Sequence, residues 1–99
     1  MSTPSVPVVG IAWYRLEDYE RITAIMADGA SFPKTHSSWR QKAIRMEREL
    51  KRQETTPVRI ELDSTGFERW SAERGLERDS ESRNHFVADA IARQRVSSS

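Results

Sequence analysis

Val58-Arg59-Ile60-Glu61-Leu62-Asp63 alternates apolar and charged side chains without a break. A period of two places Val58, Ile60 and Leu62 on one face of a strand and Arg59, Glu61 and Asp63 on the other. The stretch therefore predicts a strand with one buried face and one wet face. Directly after it, Thr65-Gly66-Phe67-Glu68 reads as a capping box, with Thr65 as the helix cap and Glu68 reaching back. That helix turns Phe67 and Trp70 inward and stops at Gly75, which suits the left-handed position past a helix end, with Leu76 folding back. Asp79 or Ser80 then caps a last helix whose apolar face is Phe86, Val87, Ala90 and Ile91.

Upstream, Thr55-Thr56-Pro57 breaks a preceding helix over about 35–53, which Thr35 or Ser37 caps and in which Trp39, Ala43, Met46 and Leu50 share one stripe. Before it lies a helix over about 16–27, with Tyr19, Ile22 and Met26 inward and Ile25 beside them. Glu17 and Asp18 place negative charge in its first turn, where the helix dipole favours it, and Asp28-Gly29 ends it with Gly29 left-handed. Val8-Val9-Gly10-Ile11-Ala12-Trp13-Tyr14 is a short apolar run rich in β-branched and aromatic residues, the pattern of a strand covered on both faces. The order is β-α-α-β-α-α. Two short-linked helices reverse the chain twice, so the second strand should return antiparallel to the first. The expected fold is α+β, a small two-stranded antiparallel sheet packed by about four helices. Residues 1–7 read as a flexible leader, 8–94 as a single domain and 95–99 as a disordered tail.

Ninety-nine residues make one domain, and at 36% hydrophobic content its core must draw on the largest apolar groups, Trp13, Trp39 and Trp70 among them. The absence of cysteine excludes disulfides and thiolate chemistry. No run approaches the ~20 apolar residues of a membrane span, and the first ten residues lack a basic, then apolar, signal pattern. A cytoplasmic chain that makes no membrane contact is expected.

Trp13-Tyr14-Arg15-x-Glu17-Asp18-Tyr19, Pro33-x-Thr35 followed by Trp39, and Arg74-Gly75-Leu76 carry a resemblance. Over roughly residues 11–90 the chain resembles small bacterial proteins of unknown activity, often encoded among mobile-element genes. The resemblance implies a bacterial cytosolic protein and brings no activity, cofactor or catalytic residue with it.

Chemistry-bearing patterns are few. Tyr14 and Arg15, at a strand-to-helix junction, form a candidate anion site, with Arg15 forking onto the ligand. Their ordinary reading is core packing and a local ion pair. His36 and His85 lack the spaced partners of a metal site, although Asp89 lies one turn after His85. No serine stands out as a nucleophile and no glycine-rich phosphate loop occurs. No metal or cofactor is therefore expected, and an enzyme stands only as a further alternative, with its site near Tyr14 and Arg15.

Charge, by contrast, is strongly segmented: residues 34–52 hold seven Lys/Arg against two Glu, and residues 53–81 hold eight acids against four Arg. Helix 35–53 turns Arg40, Arg45, Arg48, Lys51 and Arg52 outward around Ile44, a candidate interaction surface. An apolar residue ringed by arginine resembles a protein contact, with a second copy of the chain or another protein as partner. A row of arginines also suits a phosphate backbone, which makes nucleic acid the alternative partner. The third reading is an ordinary solvated face with Ile44 touching its own chain. The discriminating feature is whether the acidic segment folds over this helix and neutralises it.

Overall fold

The alternating run and the apolar run pair with each other, as β1 (Val8–Trp13) and β2 (Thr56–Glu61). They run parallel, Val8 lying opposite Thr56 and Trp13 opposite Glu61. The Thr56 amide donates to the Pro7 carbonyl (2.8 Å) and the Leu62 amide to the Trp13 carbonyl (3.0 Å), so the ladder is engaged from end to end. The computed structural model describes residues 7–97, with side chains as far as residue 93, so most of the expected leader and the last two residues of the expected tail lie outside it.

The antiparallel expectation is overturned, and the reason is the length of the first helix. α1 spans only Tyr19–Ile25, roughly 10 Å, and is bracketed by single 3-10 turns at Leu16–Asp18 and Gly29–Ser31. It turns a corner and does not traverse the molecule. α2 (His36–Arg52) is the one long leg between the strands, roughly 25 Å, and a single return leg brings the chain back for a parallel strand. The order departs from β-α-α-β-α-α by those two 3-10 turns, and closes with α3 (Ser64–Glu73) and α4 (Ser80–Ser97). α4 runs on over residues 95–97 of the stretch expected as tail.

The stop of α1 also differs from expectation. Arg78 Nε donates to the Ile25 carbonyl (2.7 Å) and the Ala27 amide to the Arg78 carbonyl (2.6 Å), so the α3–α4 turn closes this end. Gly29 is not left-handed; a Cβ there would run into the Thr23 carbonyl oxygen, so close approach is what requires glycine. Gly75 does take a left-handed φ of 63°, and the Leu76 amide bonds the Ser71 carbonyl (2.9 Å).

α3 begins two residues earlier than the capping box predicts. Asp63, not Thr65, is its cap and accepts from the Gly66 amide (2.9 Å). Buried Ser64 donates its amide to Asp18 Oδ2 (2.7 Å) and its hydroxyl to Asp18 Oδ1 (2.6 Å). A carboxylate from the turn after β1 thus sits on the helix start after β2, where free amides and the helix dipole both favour it.

The sheet lies between two helices. A Cβ on Gly10 would strike Val87 and Ile91, which places α4 on the face of Gly10 and Ile60. Trp39 meets Trp13 edge-on (4.9 Å between ring centres) and Glu47 binds Arg59, which places α2 on the other face. The main core gathers beyond the carboxyl ends of the strands: Tyr14, Tyr19, Ile22, Met26, Trp39, Ala43, Leu62, Phe67 and Trp70. Trp39 and Trp70 are buried, whereas Trp13 is half-buried, its ring covered by the Arg59 guanidinium at 3.8 Å.

Two outcomes follow for stability. A double-mutant cycle on Asp18→Ala and Ser64→Ala, read by urea denaturation, should show coupling on the order of 1–2 kcal/mol, because the carboxylate bonds both the amide and the hydroxyl. Trp70→Ala should cost about 3–5 kcal/mol. Trp70→Phe should cost far less, because Trp70 Nε1 is buried without a hydrogen-bond partner and its removal relieves an unsatisfied donor.

Candidate functional site

The inward line of α2 is rotated from the predicted stripe. Trp39 and Ala43 are buried as the spacing requires, but Met46 is 52% exposed and Leu50 only half-buried. Glu47 takes the inward place, one turn beyond Ala43, because Arg59 on β2 reaches it with two bonds, Nε to Oε2 at 2.7 Å and Nη2 to Oε1 at 2.9 Å. That hydrogen-bonded guanidinium holds the Glu47 carboxyl below its ordinary value, against the opposing effect of burial, with Lys51 and Arg40 assisting.

With Ala43 at the centre of the inward line, Arg45, Arg48 and Arg52 fall within about 60° of one another on the opposite side. Arg40 and Lys51 flank the row on the Glu47 side, and all five are exposed. Ile44 is half-buried between these flanking residues and Arg48, so it is not the protruding apolar plug that its ring of arginines suggests. Met46 is the exposed apolar residue of this helix, and Lys42 adds a further exposed cation; the predicted stripe hid the first.

At least half of the eight acids in the acidic segment are engaged elsewhere. Glu61 pairs with Arg15 (2.6 Å), Glu68 with Arg21 (3.2 Å), and Asp63 and Asp79 cap α3 and α4. On α2 itself Arg52 pairs with Glu49 (3.3 Å). Among the described residues no ion pair reaches Arg40, Arg45, Arg48 or Lys51.

The candidate anion site at Tyr14 and Arg15 is not assembled. Successive residues point apart: Tyr14 is buried against Trp39, while exposed Arg15 bonds Glu61 and approaches Glu17 (3.9 Å). Burial pushes the Tyr14 hydroxyl up to about 12, against the pull of Arg83, so it stays protonated. A cleft of about 240 Å³ beside Tyr14 is lined by Asp28, Phe32 and Arg83. The Arg83 guanidinium is already committed there, forked onto Asp28 at 2.7 and 2.8 Å and lying over the Phe32 ring.

The histidines serve packing. His36 Nε2 donates to the Tyr14 carbonyl (2.7 Å), and His85 stands edge-on to Trp70 (5.2 Å) while Asp89 pairs with Arg93 (3.0 Å). Among the described residues no three His, Asp or Glu side chains converge as metal ligands, and no helix is long and apolar enough to cross a membrane.

Compared with protein-family models, curated proteins and solved structures, the chain matches none.

The Asp28–Arg83 pair yields a pH dependence. The Arg83 bond holds the Asp28 carboxyl below its ordinary value near 3.8, so the pair's contribution is full above that value. It is lost as pH falls through the lower folded value. Urea midpoints should therefore drop steeply below about pH 4, and Asp28→Asn should lower the neutral-pH midpoint while flattening that drop.

Proposed function

We propose that this chain is a small, non-enzymatic cytoplasmic module that binds the phosphate backbone of nucleic acid along α2 without reading base sequence. The observation that carries the reading is the exposed basic row on that helix, in which Arg40, Arg45, Arg48 and Lys51 meet no ion pair among the described residues. Arg45, Arg48 and Arg52 face away from the core, Arg40 and Lys51 flank them, and Glu61, Glu68, Asp63 and Asp79 are paired or capping elsewhere. A row of cationic side chains over about 18 Å of helix axis suits a polyanion, since arginine forks onto phosphate oxygens and binding releases condensed counterions. The exposed face lacks an aromatic residue for stacking on bases, which favours backbone contact over single-strand recognition. A bacterial accessory protein working at nucleic acid agrees with the resemblance to mobile-element proteins. The second reading is an acidic protein partner, and the observation favouring it is Met46, an exposed apolar group at the rim of the row.

Fluorescence anisotropy with a labelled duplex tests this. Affinity should fall steeply as salt rises, and Arg45→Ala with Arg48→Ala should reduce the log–log salt slope by about 2 while weakening all sequences alike. Both positions are exposed, so circular dichroism should be unchanged. Absence of binding at about 50 mM salt would remove the nucleic-acid reading and leave the acidic protein.

A further inference from the structure

The two edges of the sheet differ in kind. Thr56 and Leu62 donate toward β1, so in this register Pro57, Arg59 and Glu61 are the β2 residues whose backbone faces outward. Pro57 has no amide to offer, and Arg59 and Glu61 are charged. A strand edge built this way resists further pairing. On β1 the same register turns Val8, Gly10 and Ala12 outward, with three amides, three carbonyls, no charge and no proline. Among the described residues no hydrogen bond reaches these groups. The next outward carbonyl, on Tyr14, is taken by His36, which ends the free edge.

We infer that a second copy of this chain pairs along the free edge of β1, antiparallel and centred on Gly10, to give a four-stranded sheet in the order β2-β1-β1-β2. In that register Gly10 lies opposite Gly10, and Val8 of each copy lies opposite Ala12 of the other, large against small. Three such pairs exchange roughly six backbone bonds. Val8 and Val9 are 37% and 40% exposed in the single chain, although both are apolar. Beside them runs an open groove of about 480 Å³ between Val8 and Gly10 on one wall and Asn84, Ala88 and Ile91 of α4 on the other. Val8 and Ala12 of the second copy share the Gly10 face and fall into this groove. Four strands about 4.8 Å apart carry two helices of about 10 Å on each face, and exposed, small Ala88 lets the two α4 helices come close.

The occupant is a second copy for two reasons. An uncharged edge with a glycine at its centre is matched by an uncharged strand that sets small against large, and β1 meets both conditions against itself. Pairing also closes: the outer edges of the four-stranded sheet are both β2, guarded by Pro57 and its charged neighbours, so assembly stops at two. The two-fold axis places both α2 helices on one face, which doubles the basic row. That consequence rests on the proposed function; the pairing does not.

Sedimentation velocity on the intact chain from about 1 to 100 μM, with amide exchange of Gly10 and Ala12, tests the pairing. A dimer is expected, its Kd changing less than about two-fold between 50 and 500 mM salt, because the contact is uncharged. The Gly10 and Ala12 amides should slow with concentration. Val8→Lys, and Val8→Pro, whose missing amide faces outward and costs no bond to β2, should each weaken Kd at least about ten-fold with unchanged circular dichroism. A monomer mass at about 100 μM, or a dimer in which both amides exchange as fast as in dilute protein, would overturn the inference.

Discussion

The carboxylate of Asp18 on the first turn of α3 is the contact on which the arrangement of the chain depends. Asp18 lies just past the end of β1 and Ser64 just past the end of β2, and the two are joined by bonds of 2.7 and 2.6 Å. Only parallel strands put those two ends side by side. Antiparallel strands of six residues would hold them about 20 Å apart. Arg15 bonding Glu61, and Leu62 bonding the Trp13 carbonyl, sit at the same end and lock the same register. The large aromatic core is assembled there too, from residues that immediately follow the strands. A two-stranded sheet has little stability alone, so the strands are held by this cluster and by a helix on each face.

That geometry also divides the charges. Each carboxylate at the strand ends is matched by an arginine or a helix cap close by, which engages much of the acidic segment before it can approach α2. The acid that does face inward from α2, Glu47, is answered by Arg59 from the sheet. What is left is a helix whose core side is neutral in effect and whose outer side is basic. The basic surface is thus a result of where the acids are bound, and a count of net charge conceals it.

Local signals were legible wherever one turn of chain settles the outcome. Gly75 stops α3 through a left-handed backbone, Thr35 caps α2 by accepting from the Ser38 amide, and Asp79 caps α4, each decided within five residues of chain. The alternation from Val58 yields a strand with Ile60 buried, displaced two residues toward the N-terminus so that Thr56 and Pro57 join it and buried Leu62 follows it. Signals failed where a distant group competes. Asp63 displaced Thr65 as the cap once Asp18 had captured Ser64. Gly29 served close packing where a helix stop was expected, because Arg78 had already closed α1. Glu54 adopts a left-handed φ of 61° at the end of α2, where no glycine marks the position.

The candidate surface was half legible for the same reason. Periodicity alone places Arg45, Arg48 and Arg52 together on one side of α2, since 100° per residue is a property of any helix. Which way that side points is set by Arg59, through Glu47, and the rotation exposes Met46 and half-buries Ile44. Strand direction is likewise beyond local reading, because it depends on whether the intervening chain crosses the molecule once or twice, and α1 is shortened by contacts to residues more than fifty positions away. The sequence by itself determined the two strands and four helices, most caps and the periodicity of each face, all consequences of bonds within a few residues. The parallel sheet, the orientation of the basic row and the open edge of β1 were decided only by tertiary structure, because each is the outcome of a competition between partners far apart in the chain.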